Sequence, residues 1–338
     1  MRPRLLFVKS RRASFIELDQ QLLAERYAVR VIHQPGRIGR PLRTVWEVWR
    51  AELVVGWWAS WHTILPFTLA WLLRKPSLLI VGGFDTAAEP ELGYGYQLGG
   101  WRARMSRFTM RRARALMTNS EYSRGELERN CGIAGERVAV VYHGVADEFP
   151  GAPAAKRPLA LTVGIVDATN LERKGLAAFA QTAALLPELE FVLAGKLVGA
   201  AGAELERLAA EAGAHNLRIT GWLEEAELRR LFADAAVYVQ ASKHEGFGVS
   251  VAEAMLARAV PVVSRAGALP EVVGDTGVVL ADLAPQTVAA GVERALATGD
   301  GEAARGRALN EFSVEQRRQG LFAALDTALA RREARASN

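Results

Sequence analysis

His244-Glu245-Gly246-Phe247-Gly248-Val249-Ser250-Val251-Ala252-Glu253-Ala254-Met255 decides the fold. An apolar run of strand length, 237–240, leads into it, and helical spacing continues from 250 to 258. A strand, a glycine-punctuated turn and a helix in that order make one unit of a parallel, doubly wound sheet. The same unit presents backbone N–H groups and the positive end of a helix dipole, an arrangement that suits a phosphate. Gly246 and Gly248 allow a ligand to approach the backbone closely. Glu245 and Glu253 bracket the turn, placed to accept hydrogen bonds from sugar hydroxyls. A second reading of Glu253 stays open: Ser250-Val251-Ala252-Glu253 has the form of a capping box.

The alternation extends in both directions. Short apolar runs at 5–8, 29–33, 53–56, 77–82, 115–119 and 138–142 read as strands buried on both faces. Helical patterns at 14–28, 42–50, 64–73, about 99–114, and 123–130 lie between them. After the proline-rich stretch 149–158, a candidate linker, strands follow at 159–163, 190–193, 217–220, 237–240, 260–263 and 277–280. Helices are expected at 175–186, 204–212, 225–235, 250–258, 285–297 and 314–332. The sequence thus predicts two Rossmann-like doubly wound domains, 1–150 and 151–338, with the last helix free to pack back on the first. A ligand is expected in the cleft between them, outside the carboxyl ends of the strands.

The chain has 338 residues, half of them hydrophobic, which excludes a disordered protein. Cys131 is its one cysteine and its five histidines show no paired spacing, so neither a disulfide framework nor a metal site is expected. The apolar runs at 5–8 and 64–73 fall short of a signal peptide and of the roughly 20 residues a membrane span needs. A soluble, cytoplasmic protein is expected, peripheral to a membrane if attached at all. Net charge is +5, and residues 101–114 carry six arginines and no acid. That run is either a solvated helix face or a patch for lipid headgroups or anionic glycans.

A second candidate segment is Val163-Gly164-Ile165-Val166-Asp167-Ala168-Thr169-Asn170-Leu171-Glu172-Arg173-Lys174-Gly175. It also joins a strand to a helix, and Arg173-Lys174 there would neutralise a diphosphate leaving group or simply be solvated. Asp85 ends a strand of the first half, where it would touch a sugar or orient an acceptor hydroxyl, or cap a turn. Trp57, Trp58 and Trp61 cluster at another strand end, and such clusters pack more often than they stack on sugars. The basic loop Lys9-Ser10-Arg11-Arg12 suits an acceptor bearing phosphate or carboxylate, or is ordinary surface charge.

Together these segments resemble the retaining glycosyltransferases of family GT4, which have the GT-B fold. Glu245 and Glu253 match the family's E-x7-E pattern and Lys174-Gly175 its K-G pair. Ser264 to Gly274, Thr220-Gly221-Trp222-Leu223, Thr118 to Ser123 and His143-Gly144-Val145 resemble further landmarks in order. The resemblance implies transfer of a sugar from a nucleotide-sugar donor to a glycan, lipid-linked or other small acceptor, with retention and without metal or other cofactor. It implies that Glu245 binds the donor sugar, that Gly246, Phe247 and Gly248 meet sugar and diphosphate, and that Val249 and Ser250 meet the distal phosphate. Glu253 would hold the ribose, Gly221, Trp222 and Leu223 the base, and Lys174, helped by Arg173, the departing diphosphate. Two departures stand out. Gly164-Ile165-Val166 replaces a G-R-L that many relatives carry, and the glycine-rich loop after the first strand is absent.

Within enzymes, an epimerase or phosphorylase is disfavoured by this spacing, and no lysine is assignable to pyridoxal phosphate. Outside enzymes, the rival is a basic membrane- or polyanion-binding protein on a donor-binding scaffold. No nucleic-acid reader motif accompanies the basic residues, so nucleic acid is not an expected partner.

Overall fold

The computed structural model describes residues 2–34, 40–151, 155–298 and 300–336, with 331–336 as backbone only. Residues 152–154 of the expected linker lie outside the described residues. The chain divides into two units, 1–144 with 314–338, and 145–313. The division falls ahead of the proline-rich stretch, and the last helix lies with the first unit.

In the first unit, the elements run β1 (Arg4–Lys9), α1 (Ser14–Arg26), β2 (Ala28–His33), α2 (Pro41–Arg50), β3 (Leu53–Trp57) and α3 (Trp61–Leu72). They continue with β4 (Ser77–Ile80), α4 (Gly100–Arg112), β5 (Ala115–Thr118), α5 (Glu121–Cys131) and β6 (Val138–Val140). All six strands are parallel, in the order β2-β1-β3-β4-β5-β6. The central strands β3, β4 and β5 are buried at every position, which is why they read as unbroken apolar runs. One face packs Val48 of α2, Phe67 and Ala70 of α3, Met110 of α4 and Leu127 of α5 against Leu6, Val54 and Leu79.

The second unit contains β7 (Arg157–Val163), α6 (Ala168–Arg173), α7 (Leu176–Ala183), β8 (Glu190–Ala194), α8 (Ala201–Ala212), β9 (Leu217–Gly221) and α9 (Glu225–Asp234). Then come β10 (Ala235–Gln240), α10 (Val249–Leu256), β11 (Val260–Val263), α11 (Leu269–Val273), β12 (Val278–Val279), α12 (Pro285–Thr298) and α13 (Gly301–Glu311). Its six strands are also parallel, ordered β12-β11-β10-β7-β8-β9. Phe179 of α7, Leu205 of α8 and Val288 and Val292 of α12 bury one face, while α10 packs against α13 on the other. Each fully buried side chain of this size contributes about 1.5–3 kcal/mol.

The chain then returns to the first unit as α14 (Val314–Ala336). Leu321, Phe322, Leu325 and Ala328 join α1 on the second face of the first sheet. Within this core Arg317 meets Asp19 through two bonds of 2.8 and 2.7 Å, both side chains being buried. Asp19 also accepts the Trp57 indole N–H at 2.9 Å, and Arg317 donates to the Val141 carbonyl at 2.7 Å. The pair is thus fully bonded, the condition under which buried charge is tolerated.

Candidate donor site in the second unit

Because the second sheet is parallel, every strand ends at the same edge, and the loops after β7, β9, β10 and β11 gather there. After β7 the chain turns at Gly164 into α6, whose first turn is capped by Asp167 accepting the Asn170 N–H at 2.8 Å. Lys174 ends α6 and Gly175 starts α7. Gly175 has φ +64, and a Cβ there would overlap the Ala241 carbonyl, so this position requires glycine. Gly164 has no Cβ to meet the Lys174 stem, 3.1 Å from where one would stand. The lysine therefore crosses the end of β7 and brings its Nζ to 3.6 Å from Glu245 Oε2. Both side chains are 19% exposed, held yet reachable.

The loop carrying Glu245 is braced from two sides. Arg173 accepts the Lys243 N–H at 2.7 Å with its carbonyl, and its guanidinium donates to the His244 carbonyl at 3.2 Å and to Asn170 Oδ1 at 2.7 and 3.1 Å. On the other side Ala268 N–H donates to the Glu245 carbonyl at 2.9 Å. Gly267, at φ +63, lies where any Cβ would overlap the Glu245 backbone.

Helix α10 starts at Val249 with Gly248 as N-cap at φ +100, and no side chain caps it. The Gly248 carbonyl accepts from Val251 and Ala252, leaving the Val249 and Ser250 amides without intrahelical partners. Ser250 lies inside the helix and shares a hydrogen bond with the buried Tyr238 phenol, which also takes the Val163 N–H at 3.3 Å. The capping-box reading of Ser250 and Glu253 is therefore not what the structure forms. Glu253 instead is partly buried one turn into the helix, where desolvation and then the nearby Glu148 push its carboxyl up to about 7. Phe247 is buried, its ring edge-on to Phe312 at 5.2 Å, so only its backbone faces the turn. Gly246 adjoins it in that turn. Gly221 ends β9 at φ +70 with open space around it, followed by Trp222, 73% exposed, and Leu223.

The remaining sequence candidates lie in the first unit. Asp85 is buried, and its oxygens accept the Ala59 N–H at 2.7 Å and the Gly82 N–H at 2.8 Å. It fastens two strand-end loops together, with burial raising its carboxyl to about 7. Both oxygens are thus engaged by backbone, the turn-fastening alternative rather than a contact with sugar. Lys9 is buried against Glu17 at 2.6 Å and Gln20 at 2.8 Å, which removes it from the basic loop's surface charge. Arg11 instead covers the Trp58 ring, 4.1 Å from its centre. Trp58 adopts φ +62, a conformation that costs a non-glycine residue energy and that nothing in the sequence signals. Trp57 is core, stacked on His143 at 5.7 Å. His62 Nε2–H donates to the Trp57 carbonyl, 2.8 Å away, and burial lowers the imidazole to about 4, so it is neutral.

Sequence reading singled out the segments 163–175 and 244–255 but not what braces them in the fold, chiefly α6, Asn170 and Gly267. The Asp167-Ala168-Thr169-Asn170 cap is the signal that was present for α6.

Two family models match. Residues 14–149 fit the model described as Glycosyltransferase Family 4, and 157–298 the model described as Glycosyl transferases group 1. Among curated proteins, O-antigen chain mannosyltransferase B of Escherichia coli is 30% identical over 184 residues, 49% of this chain and 47% of the relative. Alpha-D-kanosaminyltransferase of Streptomyces kanamyceticus is 27% identical over 213 residues, 56% of this chain and 53% of the relative. The matched stretch thus spans about half the length of these curated relatives. Among solved structures, the Anabaena protein HepE in complex with UDP superposes with TM-score 0.76 at 17% identity, covering 96% of this chain and all of that one. Sucrose-phosphate synthase of Thermosynechococcus elongatus gives 0.74 at 18% identity, with both chains covered in full. At such identities the likeness speaks for the fold.

Proposed function

Since this chain belongs to the GT4-like glycosyltransferases and has their two-domain GT-B fold, we propose that it moves a sugar, with retention and without a metal, from a nucleoside diphosphate sugar to a hydroxyl of a glycan or lipid-linked acceptor. The observation that carries this is Lys174 lying 3.6 Å from Glu245 beside the uncapped start of α10. A cation, a carboxylate and the two amides that open α10, those of Val249 and Ser250, suit the diphosphate and the sugar of such a donor. The α10 amides and Lys174 take the diphosphate, Glu245 accepts from the sugar hydroxyls, and Glu253 from the ribose. Gly221, Trp222 and Leu223 border the base. Arg173 acts through His244 and Asn170, holding the Glu245 loop in place rather than touching phosphate.

In the reaction the bond from the anomeric carbon to the diphosphate breaks, its electrons leaving with the phosphate. Lys174 and the helix amides stabilise that charge as it develops. The acceptor oxygen bonds to the same face of the sugar, and its proton passes to the leaving phosphate oxygen. Binding of the acceptor by the first unit, and contact with a membrane as an accessory to transfer, belong to the same proposal. No helix among the described residues is long and apolar enough to cross a membrane.

Calorimetric titration with UDP, GDP and ADP sugars in the presence of a chelator tests this. One donor is expected to bind, and Glu253→Ala to weaken it by about 1–3 kcal/mol. A folded protein that binds none of them, or a variant that binds equally well, would remove the donor site. Where turnover follows, NMR of the product reports the anomer, and an inverted product would reject the retaining route.

A further inference from the structure

Helix α2 places Leu42, Val45, Trp46 and Trp49 at i, i+3, i+4 and i+7, spacing that ordinarily turns a stripe toward the core. Here the stripe faces outward. These residues are 85, 45, 53 and 63% exposed, while Thr44 and Val48 are the buried ones. Helix α2 packs beside α3, and α3 beside α4, so the three form one layer on the same face of the first sheet. The neighbours extend the apolar surface with Trp71, Leu72 and Leu73 at the end of α3 and Trp101 and Phe108 on α4, all exposed. Single exposed apolar residues are ordinary, but nine on three adjoining helices mark an interaction surface.

Arginines are threaded through it. Arg112 lies 3.2 Å from the Phe108 ring centre and 5.0 Å from that of Trp71, bridging α4 and α3. Arg50 lies 5.3 Å over Trp46, and Arg102 5.8 Å over Trp101. Helix α4 carries Arg102, Arg104, Arg107, Arg111 and Arg112 and no acid. The whole first unit has 27 Lys and Arg against 15 Asp and Glu, net +12; the second has 15 against 22, net −7, which together return the +5 of the chain.

We infer that this face of α2, α3 and α4 docks the protein on the headgroup layer of an anionic bilayer. Indole rings settle at the boundary between headgroups and acyl chains, and arginine stems lie along apolar surface with their heads at the phosphates. Charge selects this occupant. A second copy would set the basic face against itself, and an uncharged protein surface would leave the arginines uncompensated, whereas anionic lipid neutralises them. The inference gives the membrane contact of the proposed function its surface and its lipid class, and it does not depend on the donor site.

Flotation of the full chain with vesicles of equal parts dioleoylphosphatidylglycerol and dioleoylphosphatidylcholine, against pure dioleoylphosphatidylcholine, tests it. The protein is expected to rise with the anionic vesicles alone and to be released by salt. Trp46→Ser with Trp49→Ser should lower partitioning about tenfold. Arg102→Gln with Arg104→Gln should lower it about fivefold for each arginine. All four side chains are exposed, so circular dichroism and nucleotide-sugar titration should match the parent and separate lost docking from lost folding or a failed donor site. A folded parent that does not float overturns the inference, as do tryptophan variants that float equally well. A dimer in sedimentation equilibrium that the tryptophan substitutions dissociate also overturns it, assigning the face to a second copy.

Discussion

Burial holds the Glu253 carboxyl at about 7 in the protein without donor, so near neutrality it carries a proton about half the time. Ribose hydroxyls donating to it would favour the charged form and lower its pKa on binding. Below pH 7 the proton must then leave as the donor enters, and affinity should fall by up to about tenfold per pH unit. Above it, the dependence should vanish. For folding the sign is the usual one for a raised acid: the contribution is complete below the unfolded value and is lost as pH rises through about 7. Dissociation constants measured from pH 6 to 8, with proton release read in buffers of different ionisation enthalpy, check this. A flat profile in the parent, or an unchanged slope in Glu253→Gln, would sink it. At this scale the sequence made positions legible but not commitments. Glu245, Lys174 and Glu253 were readable from their spacing. That Arg173 is bonded to Asn170 and His244, and Asp85 to two backbone amides, depends on loops folded against one another.

Among elements, α14 shows where local patterning stops being informative. Its helical period was plain, and so was its freedom to pack back, but its anchor lies 298 positions away in sequence. Replacing Arg317 with Ala would strand the Asp19 carboxylate in a dry core with only the Trp57 indole for company, a loss of about 3–5 kcal/mol. Asp19→Asn with Arg317→Met should recover much of it, because no unpaired charge remains and the indole keeps an acceptor. Urea unfolding of the parent and the two variants measures this, and an Arg317→Ala protein as stable as the parent would contradict it. The inner strands were legible because a strand buried on both faces needs nothing beyond its own apolar run, whereas β2, β6 and β9, read the same way or found by the alternation, are largely exposed or half-buried. Helices α6, α11 and α13 were not. The first two are too short to show a period, and the third opens on Gly301, whose close approach to the Arg258 carbonyl is a tertiary fact. The start of α10 moved for a similar reason: the turn needs φ +100 at its cap, which Gly248 supplies and Ser250 would resist.

At the scale of the whole molecule, the chain separates two kinds of chemistry along with its charge. The net-negative second unit places Lys174 and the first amides of α10 where phosphate is expected, while the net-positive first unit spreads arginine over an apolar face. The proline-rich stretch announced that there were two units, yet the assignment of 314–338 to the first required the fold. Because each unit has its own sheet and core, each ligand should stabilise the unit it touches, by about 2.7 kcal/mol when present at a hundred times its dissociation constant. Hydrogen exchange reads such gains segment by segment. The bound nucleotide sugar is expected to slow exchange at 164–175, 221–223 and 245–253, and anionic vesicles at 42–50, 71–75 and 101–112. Nucleotide protection confined to the first unit would refute the donor assignment. Vesicle protection confined to the second would refute the docking face. Two footprints in the expected segments would establish that one chain reads a soluble anion with backbone amides and a lipid surface with arginine and indole.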